Sequence, residues 1–233
     1  PVHAWARWQV YSLERARNGG QGDTQFLERV FHKLLLNFTW WVNRKDEHGL
    51  NVFQGGFLGL DNIGVFDREK PLPGGGHIVQ ADATSWMAMY SLDMMRIALE
   101  LAKHNRAYED IGSKFFQHFL HIAKAMHDIG GSGIGLWDEE DQFYYDVLNP
   151  PQAPRVPMKA RSVVGLIPLF AVETLSHATL EQLPDFHHRM RLFLERRSDL
   201  EKLVSQQMTD DQGPIRLLAL LKPESSKAAL RYV

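Results

Sequence analysis

Thr24-Gln25-Phe26-Leu27-Glu28-Arg29-Val30-Phe31-His32-Lys33-Leu34-Leu35-Leu36-Asn37-Phe38-Thr39-Trp40-Trp41-Val42 carries its apolar residues at helical spacing. Phe26, Leu27, Val30, Phe31, Leu34, Leu35, Phe38 and Trp41 recur every three or four positions, which sets them on one face of a helix. Asp23, just before the run, can accept from a first-turn N–H and start the helix. The same pattern extends outward on both sides. Trp5 to Arg17 places Trp5, Trp8, Tyr11 and Leu13 among charges and stops at Asn18-Gly19-Gly20. Asp82 or Thr84 caps a helix reaching about His104. Tyr108 to His127 reads as another, ended by Gly130-Gly131-Ser132-Gly133. Ser162 to Leu175 and Pro184 to Arg197 read as two more, the first bent or broken at Pro168. Leu136 to Val147 reads as an irregular hairpin loop, Asn149 to Pro157 as a proline-rich connection, and the tail from Leu200 is weakly patterned.

Asn43 to Ala81 interrupts this rhythm with eight glycines. A loop this long inside a compact domain is functional or disordered, and its Phe, Leu and Ile content argues against disorder. Helix, long Gly/aromatic loop, helix, tight turn and helix repeat without a convincing strand series. The expectation is an all-α array of helical hairpins with its elaborated loops at one end.

The chain has 233 residues, 26 Lys+Arg against 28 Asp+Glu, 44% hydrophobic residues and no cysteine. A net charge of −2 gives no reason to expect nucleic acid or an anionic membrane as partner. Without cysteine there are no disulfides or thiolate metal sites, which fits a reducing, cytoplasmic setting. Apolar stretches such as Val163 to Val172 are too short to span a bilayer. There is no signal-peptide pattern. The abrupt start at Pro1 and the uncapped end at Val233 lead us to expect a fragment.

Two segments can carry chemistry. In Phe53-Gln54-Gly55-Gly56-Phe57-Leu58-Gly59-Leu60-Asp61-Asn62-Ile63-Gly64, an acid sits among apolar residues and flexible backbone. Burial would raise its pKa, as a general acid near neutral pH requires. Equally, Asp61 could cap a turn through its side chain. In Leu136-Trp137-Asp138-Glu139-Glu140-Asp141-Gln142-Phe143-Tyr144-Tyr145-Asp146, aromatic faces beside carboxylates suit sugars, although Glu139 to Asp141 also read as a solvated acidic loop. The spacing is not that of an EF-hand. His118 with His121, and His187 with His188, match no zinc motif and read as helix-surface residues. Gly74-Gly75-Gly76 lacks the Lys-Ser/Thr of a phosphate loop. No metal or cofactor is expected.

The stretch Gly55 to Gly64, preceded by Trp40-Trp41-Val42-Asn43-Arg44, resembles glycoside hydrolase family 63. So do Pro1-Val2-His3-Ala4-Trp5-Ala6, Ala81-Asp82-Ala83-Thr84-Ser85-Trp86-Met87 and the segment from Leu136 to Asp146. Several separated motifs in order, spanning most of Pro1 to Ala171, make the similarity specific. The resemblance implies an (α/α)6 toroid, incomplete in a chain of this length, and an inverting α-glycosidase acting on a glucosyl or mannosyl linkage. It implies Asp61 as general acid. The family's general base is a Glu far downstream, which no segment after Ala171 matches. Around Asp61 we expect Gln54, Phe57 and Trp137 to line a carbohydrate-binding pit, with Trp5, Trp86 and Arg161 near it. Trp86 also reads as core. The competing functions are a sugar epimerase on the same toroid, using histidines, and a non-catalytic carbohydrate-binding helical module.

Overall fold

The computed structural model describes residues 1–45, 48–55, 67, 68, 70, 72, 74–210, 213–221, 227, 229 and 230, with backbone alone for 44, 45, 202–206 and 210. Helix α1 (Val2–Arg17) ends where Gly20 N–H reaches the carbonyl of Arg15 at 2.8 Å, with Gly19 in the left-handed region. Helix α2 (Thr24–Lys45) starts as its sequence requires, with Phe26 N–H donating to Asp23 Oδ1 at 2.8 Å. Both pack on α3 (Ala81–Ala102), the centre of the molecule. All but Met89 and Arg96 of the 22 residues of α3 are buried, so it is surrounded on every side. Helix α4 (Ala107–His127) lies antiparallel to it, and a Cβ on Gly112 would stand 3.0 Å from Leu99 Cδ2. That glycine sets how closely the two helices approach. His118 is half-buried against Phe38, at 5.3 Å between ring centroids, and is not the surface residue its helix pattern suggested.

The expected all-α toroid is overturned. Among the described residues, eight strands form three antiparallel sheets beside seven α-helices. Strand β1 (His77–Val79) runs into α3 and pairs with β4 (Asp146–Asn149), which pairs with β5 (Val156–Met158). Strands β2 (Trp137–Asp138) and β3 (Phe143–Tyr144) make the hairpin that the sequence showed. The third sheet has the order β6-β8-β7, from β6 (Val172–Ser176), β7 (Ser205–Asp210) and β8 (Gly213–Ala219).

The helix expected over Ser162 to Leu175 is instead a short 3-10 segment, Val163–Phe170, followed by β6. Pro168 supplies no N–H to continue an α-helix, and Glu173 and Leu175 alternate inward with Val172 and Thr174 outward. A Cβ on Gly165 would stand 2.5 Å from the Tyr144 carbonyl oxygen and would also meet the Phe143 ring, so this segment needs a glycine to seat on β3. The weakly patterned tail is helix α7 (Ser198–Val204) and the β7–β8 hairpin, and it packs with α5 (His177–Gln182) and α6 (Pro184–Arg196). Helix α3 begins two to four residues earlier than expected, with Gln80 as its N-cap and neither Asp82 nor Thr84 in that role.

Candidate functional site at the head of the central helix

The head of α3 gathers four segments far apart in sequence. Phe53 N–H donates to Thr84 Oγ1 at 3.0 Å, and Gly55 N–H to Gln80 Oε1 at 3.0 Å. Gln80 Nε2 donates to the carbonyl oxygen of Arg68 at 2.8 Å. One fully buried carboxamide therefore holds Gly55 and Arg68, which flank the glycine-rich segment on either side. Asp61 and Phe57 lie outside the described residues. Gln54, half-buried, stands between the two anchored residues Phe53 and Gly55.

Arg68 is buried between two carboxylates. Its Nε lies 2.7 Å from Asp146 Oδ2, its Nη1 3.3 Å from Asp82 Oδ2, and its Nη2 reaches both Asp82 Oδ1 and, at 3.2 Å, Asp146 Oδ1. Asp146 Oδ1 also accepts from Ala81 N–H at 2.8 Å, so the first turn of α3 and strand β4 share the same charge network. Burial opposes the Arg68 charge, but the two aspartates more than offset it and hold the guanidinium above its ordinary pKa. Burial pushes the Asp146 carboxyl up, against Arg68 and the Ala81 amide, which pull it down. Breaking such a network by removing one partner leaves uncompensated buried charge.

The hairpin that leads into Asp146 carries the aromatic and acidic residues. Trp137 pairs with Tyr144 across β2 and β3, edge to face at 4.9 Å between ring centroids. Asp138 and Asp141 are tied down by cations: Lys159 Nζ lies 2.9 Å from Asp138 and 3.3 Å from Asp141, and Arg161 Nη2 lies 2.9 Å from Asp141. Arg161 Nε also donates to the Tyr145 hydroxyl at 3.1 Å. For Asp138, burial opposes ionisation, but the Asp141 N–H and Lys159 prevail and hold it below the usual carboxylate range. In Asp141 the Tyr145 hydroxyl, Lys159 and Arg161 prevail over burial in the same direction. These two carboxylates are hydrogen-bond acceptors at neutral pH. Glu140 is exposed, and Lys159 Nζ lies 3.5 Å from it as well.

Trp86 is buried in α3 and stacks on Phe170, with ring planes 12° apart and centroids at 5.6 Å. Its indole nitrogen has no hydrogen-bond partner among the described residues. Trp5 is half-exposed on α1, off the side of the helix that buries Ala4 and Tyr11. Bonds through Gly55, Gln80, Arg68 and Asp146 link the chain beside Gln54 to the strand that follows the hairpin of Trp137, and Arg161 is bonded to that hairpin from outside it, at Asp141 and Tyr145. Among the described residues the structure shows no hydrogen bond or ring contact between Trp5 and any of these. Arg68 and Gln80 were not visible as site residues in the sequence. Asp82 and Asp146 were visible only as members of the motif segments. No group of three or more His, Cys, Asp and Glu residues suited to a metal occurs among the described residues, and no helix there is long and apolar enough to cross a membrane.

No family model matches the chain. It is 48% identical over 242 residues to the uncharacterized Saccharomyces cerevisiae protein YMR196W, an alignment covering 99% of this chain and 22% of that protein. The chain spans less than a quarter of the length of the curated relative it matches.

Proposed function

We propose that this chain is part of an inverting glycoside hydrolase that cleaves a glucosyl or mannosyl linkage, with Asp61 as proton donor to the leaving oxygen. One observation carries this reading. Three segments that resemble glycoside hydrolase family 63 meet through a single side chain: Arg68 borders the first, and its partners Asp82 and Asp146 belong to the other two. A buried, multiply bonded network fixes the neighbourhood of a site within the narrow tolerance that catalysis needs. Nearby, Asp138 and Asp141 are suited to accept from sugar hydroxyls, and Trp137 to offer an aromatic face. Being held ionised, neither carboxylate is suited to protonate a leaving group; the resemblance gives that role to Asp61. The activating base belongs to a part of the enzyme outside this chain.

The test is turnover of α-glucosides and α-mannosides by the full-length protein, with the product anomer followed by proton NMR. Inversion releases the β-anomer first. Release of the α-anomer, or no turnover across both series, overturns the proposal.

A further inference from the structure

We propose that a cleft between α1, the far end of α3 and β6 binds the phosphate group of a small molecule, with Arg15, Arg96 and Lys103 as its donors. The cleft encloses about 400 Å³. Arg96 lies 14 residues along α3 from Asp82, about 21 Å at the helical rise, so this is not the neighbourhood of Asp61's anchors. The inference does not rest on the glycosidase reading.

The cations and carboxylates of the cleft are layered. Arg15 lies 2.9 Å and Lys103 2.6 Å from Glu100, and Arg96 lies 2.6 Å from Glu173. The three cationic side chains are 41%, 32% and 36% exposed, whereas Glu100 and Glu173 are 10% and 3% exposed. An entering ligand therefore meets guanidinium and ammonium groups first, with the carboxylates behind them. Those carboxylates orient the cations without using up their donors. A guanidinium offers five N–H groups. Among the described residues, Arg15 engages Glu100 through Nη1, and Arg96 engages Glu173 through Nη2. Arg15, which also bonds the Tyr11 hydroxyl, keeps part of its five N–H groups for a ligand, and Arg96 keeps those on Nε and Nη1. Arg96 is further held over the Trp8 ring, 5.2 Å from its centroid, which keeps its fork in one plane. Two preset forks and a lysine are the donor set that takes a tetrahedral oxyanion. The volume exceeds what phosphate alone fills and leaves room for an organic remainder.

Isothermal titration of the full-length protein with inorganic phosphate and with glucose 6-phosphate tests this, with chloride at matched ionic strength as control. Saturable binding at about millimolar concentration is expected, as a few charge-assisted hydrogen bonds in a partly solvated cleft provide. Tighter binding of the sugar phosphate assigns the site to a monoester, and equal binding to the phosphate group alone. Arg15→Gln and Lys103→Gln should each weaken binding about tenfold, and Arg15→Lys should retain most of it. If Arg15→Gln fails to fold, the contrast between Arg15→Lys and Lys103→Gln carries the test. Absence of saturable heat, equal heat with chloride, or variants that bind as the parent does would overturn the proposal.

Discussion

Gln80 Nε2 donates to the carbonyl oxygen of Arg68 at 2.8 Å, while Oε1 of the same amide accepts from Gly55. Both bonds are made by a side chain wholly removed from solvent. Gln80→Leu keeps the volume but leaves the partly buried N–H of Gly55 and the buried C=O of Arg68 without this partner. Each costs about 1–3 kcal/mol, so the variant should lose roughly 2–6 kcal/mol, read as a lower urea midpoint. On the proposed reading turnover should fall as well, because this amide holds Gly55 and Arg68 on either side of the segment carrying Asp61.

Arg68→Met removes the charge between Asp82 and Asp146. Loss of one partner from a buried ionic network costs about 3–5 kcal/mol. The defect should be largest at about pH 7 and shrink as the pH is lowered toward about 4, because the stranded Asp146 carboxyl, which burial already pushes up, is then neutralised. Urea midpoints of parent and variant across this range provide the check, and a defect independent of pH would contradict the pairing.

Asp93 and Glu173 give the folded chain an opposite pH dependence. Burial lifts Asp93 to about 8, with Glu173 nearby acting in the same direction, and burial lifts Glu173 to about 7 against the pull of Arg96. Unfolded, both ionise near the ordinary carboxylate values of about 4. Between those values and about pH 8 the folded chain binds more protons than the unfolded chain. Their contribution is fully present at low pH, is lost as pH rises through 7 to 8, and is level above that. Asp93→Asn places a neutral group of the same shape there and removes the titration, while leaving the side chain as short of partners as Asp93 Oδ2 is among the described residues. The expected outcome is a melting temperature that falls less between pH 5 and 8.5 in Asp93→Asn than in the parent.

Gly165→Ala would push a methyl group against the Phe143 ring and the Tyr144 carbonyl oxygen. The clash is with backbone as well as side chain, so it is not relieved by a rotamer change. A loss of about 1–3 kcal/mol is expected, the range for overpacking, measured by thermal unfolding.

Asp61→Asn keeps the shape of the carboxyl but removes the transferable proton. On the proposed reading, turnover of a natural glycoside by the full-length protein falls about 10²–10⁴-fold, while ligand affinity is largely kept. A substrate with a good leaving group should show a smaller defect. Near-parental turnover of the natural glycoside would reduce Asp61 to a turn residue.

Helices α1 to α4 were legible in the sequence because their information is local. Phe26, Val30, Leu34 and Phe38 mark a face by spacing alone, Asp23 caps the next turn, and Gly19-Gly20 ends the preceding helix within a few residues of where the apolar pattern stops. The β2–β3 hairpin was legible for the same reason. The sheet β6-β8-β7 was not, because Thr174 pairs with Leu217 across more than forty residues, and an apolar run broken by Pro168 reads equally well as a bent helix. At the candidate site, the sequence by itself singled out Asp61, Trp137 and the acidic hairpin by their company of glycines and aromatics. Arg68 and Gln80 stand in no such company. Only the tertiary structure decided their roles, since a buried charge needs its counter-charges, and an amide its main-chain partners, wherever the fold brings them.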